Sequence, residues 1–179
     1  MSKAIDNLMQ EHQAILSILR IMQKILIMLK KNSEVSISEL NSIITFLKEF
    51  ADKCHHGKEE GILFPTFEAA GIPKENGPIG VMLNEHELGR SYIKQMAESL
   101  SKGKADQQFL EGAEKYIALL RSHIEKENNI LFPMGASRLS SEQLEEIFIK
   151  FEKFEEEAIG KGRHQELHQI LADLENKFF

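Results

Sequence analysis

Apolar positions spaced by three and four run through most of the chain, the period of amphipathic helices rather than the alternation of strands. The first such stretch, from about Ser2 to Lys31, carries Ile5, Leu8, Ile15, Leu19, Met22, Leu26 and Leu29 on one face. His12 falls in the gap of that stripe and therefore points inward, whereas Glu11 and Gln13 fall on the solvated side. Asn32 and Ser33 break the pattern. A second helix opens near Ser36 or Ser38, either of which can cap it, with an inner row of Leu40, Ile44, Leu47, Ala51, His55, Glu59 and Ile62. Gly57 lies inside this helix, where it costs on the order of 1 kcal/mol relative to Ala and allows a neighbour to come close. Pro65 predicts the helix end or a kink. The segment Ala70 to Pro78, rich in proline and glycine, is a loop between two halves. A third helix runs from about Ile79 to Leu100 with Met82, His86, Gly89, Ile93, Met96 and Leu100 on its stripe. Ser101 to Asp106 turns the chain into a fourth, reaching about Met134, with Phe109, Ala113, Tyr116, Leu120, His123, Glu127 and Ile130 inside. Two further amphipathic helices, Glu142 to Ile159 and Arg163 to Lys177, are divided by Gly160-Lys161-Gly162 and would cover the bundle or a partner.

Short connections between consecutive long helices predict an all-α, up-down-up-down four-helix bundle. The expected organisation is one domain over residues 1–179, with a four-helix core over about 2–136 and a helical extension over about 140–179. Such a bundle gathers the start of helix one, the end of helix two, the start of helix three and the end of helix four. The chain also repeats itself there. His55 to Pro65 reads HHGKEEGILFP and His123 to Pro133 reads HIEKENNILFP; Leu8 to His12 reads LMQEH and Met82 to His86 reads MLNEH. The order is H…HxxxE…H…HxxxE. A histidine and a glutamate four apart share one helix face, where both can point at one ion. His12, His55, Glu59, His86, His123 and Glu127 thus converge at one bundle end. His56 and Glu60 have the same spacing but extend the polar row of Glu49 and Lys53, so they are read as solvated, with His56 the nearest candidate for an extra ligand. His164 and His168, also four apart, are read as surface groups, because a preceding helix ~27 Å long carries them away.

Composition narrows the chemistry. The net charge is −6 and no basic patch is interleaved with aromatics, so a nucleic-acid partner is not expected. The single cysteine, Cys54, excludes an internal disulfide and fits a reducing compartment; it is read as a small buried residue. Charged and polar residues interrupt the apolar N-terminal stretch, so neither a signal peptide nor a membrane span is expected, and the expected location is cytoplasmic. Zincin, serine-nucleophile and phosphate-loop signatures are absent, as is the Glu-x-x-His of ferritin-like sites.

Carboxylates buried in helix interiors cost several kcal/mol each unless paired, and a divalent metal removes that cost. Imidazoles and carboxylates without thiolates suit iron, manganese or zinc, and two glutamates from facing helices can each bridge two ions. Two bridging glutamates and four histidines give each ion two nitrogens and two oxygens; a shared oxo or hydroxo group makes five, leaving room for a small ligand. Iron fits best. The repeated motif resembles the hemerythrin-like, or HHE cation-binding, family of non-haem diiron proteins, over about Ile5 to Pro133. The resemblance implies His12, His55, His86 and His123 as terminal ligands, Glu59 and Glu127 as bridges, and a fifth nitrogen from His56 or from His164 and His168. Oxygen-carrying members pair two histidines four apart on the third helix; here Met82 and Arg90 stand at those offsets, which places the chain nearer the H-HxxxE-H-HxxxE branch. The expected function is binding or sensing of dioxygen, nitric oxide or iron itself. The alternatives are a diiron enzyme acting on peroxide, an iron donor in iron-sulfur cluster repair, and a helical interaction module with a zinc or incidental site. Repair proteins of this kind usually carry a cysteine-bearing region ahead of the first helix, whereas this chain starts at that helix. A protein partner or a second copy would dock through the last two helices.

Overall fold

The computed structural model describes residues 2–179, which form six helices with no strand among the described residues. Helix α1 is Lys3–Lys30; α2 spans 37–69; α3 is Pro78–Ser101; α4 spans 107–136; α5 is Ser141–Ile159 and α6 is Arg163–Phe178. Local sequence explains the boundaries. The Ser2 hydroxyl accepts from the backbone N–H of Ile5, Ser36 and Glu39 close a capping box, Asp106 accepts from Gln108 and Phe109, and Ser140 and Gln143 close a second box. Each satisfies N–H groups that the first turn leaves free. Asn32, at φ 57°, ends the turn after α1 in the left-handed region that asparagine tolerates.

Helices α1 to α4 form the antiparallel bundle, with α5 and α6 laid over α1 and α2. Two apolar clusters fill it. The larger holds Ile15, Leu19, Met22, Leu26, Leu40, Leu47, Phe50, Met96, Phe109 and Leu120 in the body of the bundle, and α6 joins it through Leu167, Leu171, Leu174 and Phe178. The smaller closes the other end with Ile5, Leu8, Leu63, Phe64, Phe67, Met82, Leu131 and Phe132, and α5 joins it through Ile147 and Phe151. By length and composition alone α1 could cross a membrane, but its apolar stripe is buried within these two clusters.

The helix does not end at Pro65. In α2 the turns Leu47–His56 and Glu59–Leu63 are π-helical, and in α4 so is Glu127–Leu131. Ahead of each proline the widened turn is closed by the phenylalanine N–H, Phe64 to the Glu59 carbonyl and Phe132 to the Glu127 carbonyl. Proline has no N–H, and its ring collides with the carbonyl four residues back in an α-helix; an i→i+5 turn relieves that conflict, so the chain continues to Ala69 and Ala136. The expected close approach at Gly57 is present. A Cβ there would lie 2.7 Å from Cζ of Phe154, so the absent side chain is what lets α5 rest on α2.

Candidate metal centre

Four helices each turn one histidine into the layer between the two apolar clusters. His12 comes from α1, His55 from α2, His86 from α3 and His123 from α4, joined by Glu59 and Glu127, and each is at most 1% exposed. Each of the two carboxylates reaches two histidines. Glu59 places Oε1 3.3 Å from His55 Nε2 and Oε2 3.2 Å from His86 Nε2. Glu127 places Oε2 3.1 Å from His12 Nε2 and Oε1 3.3 Å from His123 Nε2. Each carboxylate therefore spans two groups of donors: His12, His55, Glu59 and Glu127 on one side, and His56, Glu59, His86 and His123 on the other, the second lying also near Glu127.

His56 corrects the reading of it as a solvated residue. It is 3% exposed, and its ring stacks on that of His86 with centroids 3.9 Å apart. The cause is the π-helical turn Leu47–His56: each residue there turns through less than the α-helical increment of about 100°, so the phase drawn from Glu49 and Lys53 no longer holds. Glu60 is half-buried and faces away from the centre, accepting from His86 Nδ1 at 2.7 Å and from Arg90. His164 and His168 do not join the donors; they pack on each other and on Phe50.

An outer layer fixes four of the imidazoles, those of His12, His55, His86 and His123. His55 Nδ1 donates to Glu11 at 2.8 Å and His123 Nδ1 to Glu85 at 2.9 Å; His86 Nδ1 donates to Glu60 and His12 Nδ1 to Asn128 Oδ1, both at 2.7 Å. In the neutral ring with Nδ1 protonated, each Nε2 would present a lone pair to the centre. Glu11 is 4% exposed, not solvated as its place beside His12 suggested, because His55 and the buried ammonium of Lys58 hold it. The outer layer is itself repeated: the residue before each lone histidine, Glu11 or Glu85, serves the paired histidine of the same half. The residue after each bridging glutamate, Glu60 or Asn128, serves the lone histidine of the other half. The ILFP repeat has the same logic, since Phe64 stacks on His86 and Phe132 on His12. The sequence carried these residues in register, but only the fold shows which ring each one meets.

The donor atoms fit a metal. Both oxygens of Glu59 and of Glu127, Nε2 of His12 and of His55, and both ring nitrogens of His56 are buried without a hydrogen-bond partner, and Nε2 of His86 and His123 face each other at 3.1 Å. Buried ionised groups left in this state cost several kcal/mol. The charges respond to one another. Burial alone would lower His55, but Glu59 and Glu11 outweigh it and lift it to about 10, and Glu127 with Glu85 does the same for His123. Burial and the neighbouring imidazoles push His56 well below its usual value, leaving it neutral. Burial would raise Glu127, yet His123 and His12 hold it well below the usual carboxylate range. The Cys54 thiol is buried and, mainly through that burial, pushed up to about 12.

A profile of the hemerythrin HHE cation binding domain matches residues 3–135. An uncharacterised protein of Mycobacterium tuberculosis is 24% identical over 175 residues, covering 95% of this chain and 68% of the relative, and one of Mycobacterium bovis is equally similar. An iron-sulfur cluster repair protein, YtfE, of Yersinia pestis is 33% identical over 103 residues, 54% of this chain and 44% of the relative. No solved structure matches significantly.

Proposed function

The chain belongs to the hemerythrin family of HHE cation-binding domains, and from that premise we propose that it holds two iron ions and uses them to bind or sense a diatomic molecule, dioxygen or nitric oxide. One ion would lie among His12, His55, Glu59 and Glu127, and the other among His56, His86, His123, Glu59 and Glu127. The observation that carries this is the disposition of Glu59 and Glu127, each buried, each with one oxygen toward either histidine group and neither oxygen hydrogen-bonded. When bound, an iron pair supplies reversible redox change and an open coordination position. The protein does the rest. It holds five imidazoles with their Nε2 or remaining nitrogens free, fixes four of them by Nδ1 bonds, and keeps bulk water out with Phe64 and Phe132. The group with two imidazoles offers fewer protein donors than the group with three, so a small ligand would be expected on that side.

The test is the optical spectrum of anaerobically iron-loaded protein, with bound iron counted, before and after air or nitric oxide. Two irons per chain and a reversible charge-transfer band support the proposal; two irons without reaction with either gas contradict it. The likeness to the Yersinia repair protein favours a second reading, release of iron to a damaged iron-sulfur cluster. Iron transfer from loaded protein to a cluster-depleted acceptor, faster than from a chelate of equal affinity, would select it.

A further inference from the structure

The outer layer contains two arms of one design, and α5 has lengthened one of them. In the second half of the chain Lys126 donates to Glu85, which accepts from His123 Nδ1. In the first half Lys58 donates to Glu11 at 2.5 Å, and Glu11 accepts from His55 Nδ1 at 2.8 Å. The lysines occupy the same repeat position, three residues after the paired histidine. Their surroundings differ. The Lys126 side chain is 34% exposed, and among the described residues Glu85 is its one ion-pair partner. The Lys58 side chain is 1% exposed, because Glu155 of α5 accepts from it at 2.9 Å, Asn7 accepts at 3.3 Å, and the Phe151 ring lies 5.8 Å away. His164 of α6 stands beyond, 3.7 Å from Glu155 and 3.9 Å from Glu11.

We infer that Glu155 is a positioning residue for one half of the metal pair, acting on His55 through Lys58 and Glu11. The inference rests on the dinuclear reading above and goes beyond it by assigning the C-terminal extension, which lies outside the matched segment 3–135, to the position with two imidazoles. An ammonium held between two carboxylates is shared by them. With Glu155 in place, Glu11 keeps enough negative charge to be a strong acceptor for His55 Nδ1, and His55 is a correspondingly better donor through Nε2. With Glu155 neutralised, Lys58 bonds to Glu11 alone and His55 loses that support. The other position is served by Glu60 and Glu85, which Glu155 does not touch. Removing the partner of a metal-bound histidine's other nitrogen weakens metal binding by about 10-fold to 100-fold. Glu155 is one residue further out, so the low end of that range is expected.

The experiment is anaerobic titration of the 179-residue protein with chelator-buffered ferrous iron, followed by Mössbauer spectra of samples loaded with the 57 isotope. Wild type is compared with E155Q, E155D and, as a control on the exposed face of α5, E152Q. The expected result is two binding steps in wild type and E152Q, one of them weakened about 10-fold in E155Q with a shift in one quadrupole doublet only, and partial recovery in E155D. Two steps in wild type with E155Q either unchanged or weakened equally at both would overturn the role of Glu155 and leave the iron pair standing. Fewer than two steps in wild type would overturn the iron pair and the inference with it. Should E155Q melt below the assay temperature, E155D carries the same comparison with a smaller single-step loss.

Discussion

At the scale of residues, the centre is set by which atoms lack partners. His55 and His123 are lifted to about 10 from an ordinary 6.5, so they are expected to carry protons in metal-free protein at neutral pH. Because the folded values are raised, their stabilisation of metal-free protein is complete below about 6.5 and is lost as pH rises through about 10. Metal-free protein is therefore expected to melt at progressively lower temperature across that window. Metal must displace those protons, so loading at pH 7 should release them and weaken as pH falls. Calorimetric titration in two buffers of different ionisation enthalpy measures the release; equal heats in both would count against it. Substitution distinguishes shared from unshared donors. Glu127→Ala is expected to abolish tight binding of both ions, whereas His56→Ala should weaken one by about 10-fold or more and spare the other, as read by metal counting after dialysis against a chelator. The six residues of the repeated motif were legible because two independent copies agreed in spacing and phase. Glu11 was not, since its neighbour His12 points inward and only the fold reveals that His55 and Lys58 converge on it.

Elements explain the remaining misreadings. A phase taken at α-helical pitch fails where the turns are wider: His56 in α2 was placed on the polar face although it is buried, and Ile130 in α4 on the inner face although it is 52% exposed. Nothing in the pattern of apolar positions marks a π-turn directly. The repeated Leu-Phe-Pro was the available clue, and Pro65 was instead read as a helix end or a kink. The same elements make a packing prediction. Gly57→Val would drive a side chain into the Phe154 ring, 2.7 Å from where Cβ must stand. Overpacking of this kind costs about 1–3 kcal/mol, so the urea midpoint should fall with little change in slope, and an unchanged midpoint would mean that α5 does not rest on α2 as described.

For the molecule as a whole, the bundle and its extension share one apolar interior. Helix α6 adds Leu167, Leu171, Leu174 and Phe178 to the larger cluster and α5 adds Ile147 and Phe151 to the smaller, so removing residues 140–179 is expected to expose Leu19, Phe46 and Phe50 and to lower the melting temperature sharply. The architecture was readable from helical periodicity and short loops, and so was the presence of two extra helices; their seat over α1 and α2 was not, because amphipathic faces do not name their partners. Ligand linkage gives a further expectation: an ion bound by the folded state alone raises stability by about 2.7 kcal/mol at a hundredfold excess over its dissociation constant, so iron should raise the melting temperature and a chelator should reverse it. The most direct measurement is a crystal structure of anaerobically iron-loaded protein with anomalous data collected on both sides of the iron edge. Two anomalous peaks, one beside His12 and His55 and one beside His56, His86 and His123, with Glu59 and Glu127 reaching both, are the predicted result. A single peak, or none within reach of both glutamates, would contradict the account.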